Sequence, residues 1–201
     1  MSAREEVLAR VREAIAPGRA EAAPVPRDYR AVTDAGIDTF VDRLQHYRAQ
    51  TRRVPAAGLD EAIRATLRER AVVRVVAPDG LPEPWLDGLE PLRDDPPLEP
   101  HVVDGADGVI TTCAVAVAET GTIVLDGGPG MGRRALSLVP DYHLCVVRAE
   151  QVVGGLPQAI AQLDPTRPLT FVSGPSATVD IEMVVIEGVH GPRRLEVIVA
   201  E

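Results

Sequence analysis

Glu119 stands directly ahead of Thr120, Gly121 and Thr122, at the entrance to an apolar run. A carboxylate before such a turn can act as a nucleophile or general base, and the backbone amides around Gly121 can face an oxyanion. The same residues can instead hydrogen-bond their own turn and do nothing else. A second stretch, residues 127–134, reads GGPGMGRR and ends on Arg133 and Arg134. Glycines ahead of two guanidiniums suit a phosphate or carboxylate cradle. The stretch lacks both the G-K-[ST] of a P-loop and the G-x-G-x-x-G spacing, so a plain loop remains the alternative.

The third stretch is Ser173, Gly174, Pro175, Ser176, Ala177 and Thr178, running into Val179, Asp180, Ile181 and Glu182. Hydroxyls and free amides at the start of a helix over 179–187 would make an anion site. Asp180 and Glu182 in its first turn would satisfy the helix dipole themselves and repel an anion. Their spacing puts one into a cleft and leaves the other to cap, and ordinary capping is the plainer reading. His190 lies between glycines at 188 and 191, which favours a surface or cleft position as general acid, carboxylate binder or partner contact, with Arg193 close behind. His143, at a strand start, reads as packed. The four histidines are scattered, with no H-E-x-x-H, and no G-x-S-x-G occurs, so neither a metal site nor a serine triad is expected.

These residues need a scaffold. Val7, Leu8, Val11 and Ile15 recur at helical spacing, predicting a helix over 2–16 that Pro17-Gly18 ends. Residues 17–35 read as a linker. A second helix carries Ile37, Phe40, Val41, Leu44 and Tyr47 on one face, and a third spans 60–70. Residues 72–77 form a short β-branched run, a buried parallel strand. Residues 78–100 hold seven prolines and should wander over the surface, with one short helix around Trp85. Further strands are expected over 108–112, 122–126, 143–148, 169–173 and 195–200, with helices near 133–138, 155–163 and 179–187. The pattern is α/β: a Rossmann-like, mostly parallel sheet with helices on both faces. One domain of 201 residues is the default, mainly helical over 1–70 with an α/β core over 71–201. In such folds ligands sit beyond the carboxyl ends of the strands, which directs attention to the three turns.

Composition narrows the function. No apolar run approaches the roughly 20 residues of a membrane span, and the first segment does not read as a secretory signal, so a cytoplasmic protein is expected. Two cysteines, Cys113 and Cys145, cannot supply the four thiolates an iron–sulfur cluster usually takes; any such cluster would sit on a partner. A net charge of −9 and 3% aromatics argue against nucleic-acid binding. Every basic residue is arginine, which removes Schiff-base and P-loop lysine chemistry.

Four ordered motifs carry a resemblance: CAVAVAETGTIVL from Cys113, RALSLVPDYH from Arg134, SGPSATVDIE from Ser173 and EGVHGPR from Glu187. They are similar to the LUD domain of the lactate-utilisation C family and cover about residues 108–200. Ala177 departs from it, since a basic residue is expected there. The resemblance implies the fold of the sugar-phosphate isomerase and CoA-transferase superfamily. It also implies a part in oxidising L-lactate to pyruvate beside two iron–sulfur proteins, a division of labour that the cysteine count fits. The leading expectation is a non-redox subunit, binding a small carboxylate or serving assembly, with no cofactor of its own. Its cleft would gather residues 119–122, 173–180 and 190–193. Glu119, His190 and Asp180 are the candidate catalytic groups. The ligand contacts would come from Thr120, Gly121, Thr122, Ser173, Gly174, Ser176 and Thr178, with Arg133, Arg134 or Arg193 holding the carboxylate. The rival is a stand-alone enzyme acting on a CoA ester or phosphorylated sugar, since Glu119 before a glycine turn is similar to the CoA-transferase nucleophile.

Overall fold

A computed structural model describes residues 2–15, 24–179, 185–188 and 190–201. Residues 1–30 and 31–201 form separate compact units. The first carries helix α1 (Ala3–Ile15), as the apolar spacing predicts. A reciprocal box fixes its start: the Glu5 amide donates to Ser2 Oγ at 3.3 Å and the Ser2 amide to Glu5 Oε2 at 2.7 Å.

The second unit runs α2 (Ile37–His46), β1 (Gln50–Val54), α3 (Leu59–Glu69), β2 (Arg74–Val76), β3 (Glu90–Leu92), α4 (Pro100–Asp104), β4 (Gly108–Thr111), β5 (Val115–Val117) and β6 (Thr122–Leu125). It continues through α5 (Arg134–Leu138), β7 (Tyr142–Arg148), β8 (Val152–Val153), α6 (Leu156–Ile160), β9 (Thr170–Val172), β10 (Ala177–Val179), β11 (Val185–Glu187) and β12 (Arg194–Ala200). Six strands form one parallel sheet in the order β1-β12-β7-β4-β2-β3. The central strands are apolar on both faces because both faces are covered. On one side Leu59, Ile63 and Leu67 of α3 pack on Val75, Ile110, Leu144 and Ile198, joined by Trp85. On the other, Phe40 and Leu44 of α2 meet Cys145, Val147 and Val197, while Val103 and Leu136 bring α4 and α5 onto Val76 and Val109. Each side chain so buried contributes roughly 1.5–3 kcal/mol.

The parallel α/β architecture matches the expectation, with additions. A second, mixed sheet, β8-β5-β6-β9, lies on the α2 face, its Ala116, Ile123 and Leu125 closing the same core. Residues 78–100 do more than wander: Trp85 sits in a single helical turn, is buried, and donates its indole N–H to Asp60 at 2.9 Å. Strand β3 then adds an edge to the sheet, where Pro91 is tolerated. The helix expected over 179–187 is contradicted. Val179 ends β10, residues 185–187 form β11, and the two strands pair antiparallel, with 180–184 outside the described residues. Alternation of Thr178, Val179, Asp180, Ile181 and Glu182, rich in β-branched residues, is a strand pattern that the capping argument overrode.

Helices α2 and α3 end alike. Ala49 N donates to Leu44 O at 2.9 Å and Arg48 N to Gln45 O at 2.8 Å; Val72 N donates to Leu67 O at 3.0 Å and Ala71 N to Arg68 O at 3.0 Å. Both are Schellman endings, in which the residue at positive φ is usually glycine. Here Arg48 (φ 65°) and Ala71 (φ 53°) hold that place. Removing the Ala71 methyl relieves a steric cost of about 1 kcal/mol. Ala71→Gly is therefore expected to raise unfolding stability by roughly that amount in urea titration, and an unchanged or lower stability would contradict this.

His143 is buried in β7, with Nε2 2.7 Å from Thr111 Oγ1 and Nδ1 without a partner among the described residues. Burial pushes its pKa down to about 4, so the folded protein holds it neutral. The unfolded chain, with an ordinary histidine value of about 6.5, takes up a proton first. Its contribution is complete above that value and is lost as pH falls from about 6.5 toward 4, on the order of 3 kcal/mol in all. The His143 ring resonances should stay unprotonated by NMR down to pH 5; a midpoint near 6.5 would contradict the burial argument.

Candidate functional site

Strands β6 and β9 pair antiparallel, with Ile123 opposite Val172 and Leu125 opposite Thr170. One step beyond this register, Thr122 meets Ser173. Thr122 Oγ1 lies 2.7 Å from Ser173 Oγ and 2.7 Å from Thr120 Oγ1. The central hydroxyl is buried while Thr120 and Ser173 are exposed, so the row has a fixed middle and two open ends. Each hydroxyl donates once and accepts twice, so the row can be polarised in either direction by whatever meets its ends.

The turns that carry this row are pressed on α2. Gly121 has φ +60°, and a Cβ there would stand 2.7 Å from Arg43 Cβ and 3.0 Å from Leu44 N. Only glycine satisfies both the conformation and the approach. Gly174 abuts Tyr47 in the same way. Ser176 then ties the third turn to the histidine loop: its Oγ accepts from His190 N at 3.1 Å, its N donates to Pro192 O at 2.8 Å and its O accepts from Gly188 N at 3.0 Å. His190 itself is exposed. The first turn, the third turn and the histidine loop, far apart in sequence, are thus joined through residues 173–176. Thr178 lies in β10 opposite Ile186, and Asp180 falls outside the described residues. Glu119 is half-buried; its N donates to Gly154 O at 3.0 Å and its Oε2 lies 3.1 Å from where a Cβ on Gly155 would stand, which places the carboxylate at the β8–α6 connection.

Because α2 ends beside the start of β1, this constellation occupies the amino ends of the parallel strands. The rule that ligands lie beyond the carboxyl ends therefore selects only the second glycine turn. The reason is the path of β5 and β6, which turn at residues 118–121 against the C-terminal half of α2. At the carboxyl end, Gly130 N donates to Asp79 O at 2.6 Å and Thr112 N to Gly130 O at 2.8 Å. An open cleft of about 510 Å³ forms there, lined by Asp79, Asp94, Gly127, Gly128, Leu136 and Arg167 among others.

The expected arginines are distributed differently. Arg133 grips Asp94 through two bonds of 2.8 and 3.0 Å and donates to Leu98 O at 2.7 Å, a brace rather than an open carboxylate clamp. Burial raises the Asp94 pKa, but Arg133 and the Leu98 amide outweigh it and leave the carboxyl below its usual range. Arg134 is exposed at the start of α5. Arg193 is exposed, with Nε 3.5 Å from Asp141. Arg167, which no sequence pattern marked, reaches the cleft and pairs with Asp126 at 2.9 Å. Cys113 and Cys145 are buried free thiols. Among the described residues no helix is long and apolar enough to cross a membrane, and no cluster of metal-ligating side chains occurs.

Comparison with known proteins addresses the family. A model of the LUD domain matches residues 102–200. A lactate utilization protein C of Deinococcus radiodurans is 48% identical over 203 residues, covering 98% of this chain and 95% of that protein. The chain belongs to the LUD domain family. Another lactate utilization protein C, from Halalkalibacterium halodurans, is 38% identical over 104 residues, 48% of this chain and 45% of that protein. The crystal structure of a DUF162 family protein from Deinococcus radiodurans is similar with a TM-score of 0.68 at 44% identity, covering 82% of this chain and 95% of that one. The LUD match contains Thr120, Thr122, Ser173, Ser176 and His190 together.

Gly121→Ala adds both a strained φ and a backbone clash, expected to cost about 2–4 kcal/mol. Denaturant unfolding measures this; a loss under 1 kcal/mol would mean that the turn does not press on α2 as described.

Proposed function

We propose that this LUD-domain chain serves lactate utilisation in the cytoplasm by binding a small 2-hydroxy or 2-oxo carboxylate on the Thr120–Thr122–Ser173 row, next to Ser176 and His190. Identity of 48% to a lactate utilization protein C over nearly the whole chain supports the pathway. The observation that carries the site is the unbroken hydroxyl contact across β6 and β9. Such a row can donate to a carboxylate or keto oxygen and accept from a substrate hydroxyl. In this reading the chain is non-redox. Its two thiols cannot hold an iron–sulfur cluster, so electrons from lactate pass to clusters on iron–sulfur partner proteins.

Calorimetry with L-lactate and pyruvate tests this. Wild-type protein is expected to give a saturable heat, and Thr122→Val to weaken it at least about tenfold, as loss of a buried hydroxyl contact does. Equal heats from both proteins would remove the row from the site. Co-purification from the native host should bring down iron–sulfur proteins; a chain recovered alone would remove the partner half of the reading.

One observation favours a second reading, a stand-alone enzyme acting on a CoA ester or phosphorylated sugar. The carboxyl-end cleft, at about 510 Å³, is larger than lactate needs and falls within the usual range of small-molecule sites. Glu119 does not line that cleft, so a glutamyl thioester there is disfavoured. Mass spectrometry after incubation with an acyl-CoA panel should find the chain unmodified; an adduct on Glu119 would reverse the order of the two readings.

A further inference from the structure

Helix α2 runs along both turns that carry the hydroxyl row, and it brings one side chain to each. Arg43 Cβ lies 2.7 Å from where a Cβ on Gly121 would stand, and Tyr47 Cβ lies 2.6 Å from the same point on Gly174. Four residues apart, Arg43 and Tyr47 share a face of the helix. Gly121 follows Thr120 and Gly174 follows Ser173, the two open ends of the row. Both residues are exposed beside those ends rather than sealed in the core. Tyr47 is held by a T-shaped contact with His46, ring centroids 5.7 Å apart. Arg43 is held less firmly. Among the described residues its guanidinium meets one carboxylate, that of Asp42 at 4.0 Å, with the two side chains 48% and 75% exposed. Consecutive helical residues do not face each other, and an exposed pair at that distance contributes little.

A carboxylate on the row needs a cation. The row lies against the C-terminal half of α2, the end at which the helix dipole is negative, in a chain of net charge −9. Both fields oppose an anion, and neutral hydroxyls leave its charge uncompensated. A guanidinium offsets both, and its planar fork meets the two oxygens of a carboxylate at once. Other arginines expected to do this are engaged: Arg133 grips Asp94, and Arg193 faces Asp141.

Taking the hydroxyl row as the ligand site, we propose that Arg43 binds the carboxylate of that ligand through paired hydrogen bonds beside Thr120, leaving the 2-oxygen to Thr122 and Ser173. The two groups sit on adjacent carbons of a 2-hydroxy or 2-oxo acid, so neighbouring hydroxyls of one row serve both. The rotatable arginine stem lets the guanidinium leave Asp42, which stays solvated, and close on the ligand. The site thereby selects the charged acid over its neutral amide.

The test is calorimetry on the full chain with pyruvate and its neutral analogue pyruvamide, using wild type, Arg43→Gln, Arg43→Lys and Thr122→Val. Wild type is expected to favour pyruvate at least about tenfold, as a charge-assisted bidentate contact does. Arg43→Gln should lose that preference while binding pyruvamide as before, and Arg43→Lys should keep part of it. Thr122→Val should weaken both probes. Arg43 is exposed and glutamine retains the Cβ and Cγ that meet Gly121, so the variant should fold; thermal unfolding without ligand checks that. An undiminished pyruvate preference in Arg43→Gln, or equal weakening of both probes, would overturn the role of Arg43 alone if Thr122→Val still impairs binding. No saturable heat from wild type with either probe would remove the hydroxyl-row site and Arg43 with it.

Discussion

Ile123 and Leu125 point into the core shared with α2, and this fixes which face of β6 is buried against the main sheet. A slip of one residue against β9 would send both side chains to the other face. The register is therefore pinned by apolar burial, and Thr122 is set opposite Ser173 as its by-product. Everything polar at the site follows from that position. Thr120 reaches Thr122 from within the same turn, Gly121 lets the turn close on α2, and Ser176 brings the histidine loop to the turn that Ser173 begins.

The two ends of the parallel sheet have been put to different uses. The carboxyl end holds an open cleft whose charged walls are already engaged: Asp94 by Arg133 and Arg167 by Asp126. Those pairs tie the segment after β3 and the segment before β9 to the glycine turn, so they shape the cleft as much as they charge it. The amino end holds the hydroxyl row and the histidine loop.

The parallel sheet was legible because strands covered on both faces are mostly apolar, and the runs at 72–77, 143–148 and 195–200 are, with Arg74, His143, Arg148 and Glu196 as their polar members. Strand β1 was not legible: Gln50, Thr51, Arg52 and Arg53 form an edge that pairs only with β12, so nothing selects apolar residues there. The β10–β11 hairpin was misread because acids after a Ser-Gly-Pro turn suggest a capped helix, while the alternation beneath them suggests strands. Glu119, Thr122, Ser173 and His190 were singled out by type and by motif, but their partners were not. That Thr122 bonds Ser173 is a consequence of pairing across 51 residues, which no local pattern encodes. Arg167 was missed for the same reason, since its relation to Asp126 exists only once β6 and β9 are paired.

Threonine methyl resonances give the most direct measurement of where the ligand sits, because threonines mark both ends of the sheet. Thr120 and Thr122 belong to the row, while Thr112 donates to Pro129 O at 3.4 Å beside the carboxyl-end cleft. On titration with pyruvate, saturable shifts at Thr120 and Thr122 with a stationary Thr112 are the predicted result. Saturable movement of Thr112 with Thr120 and Thr122 unmoved would place the ligand at the opposite end and contradict the account.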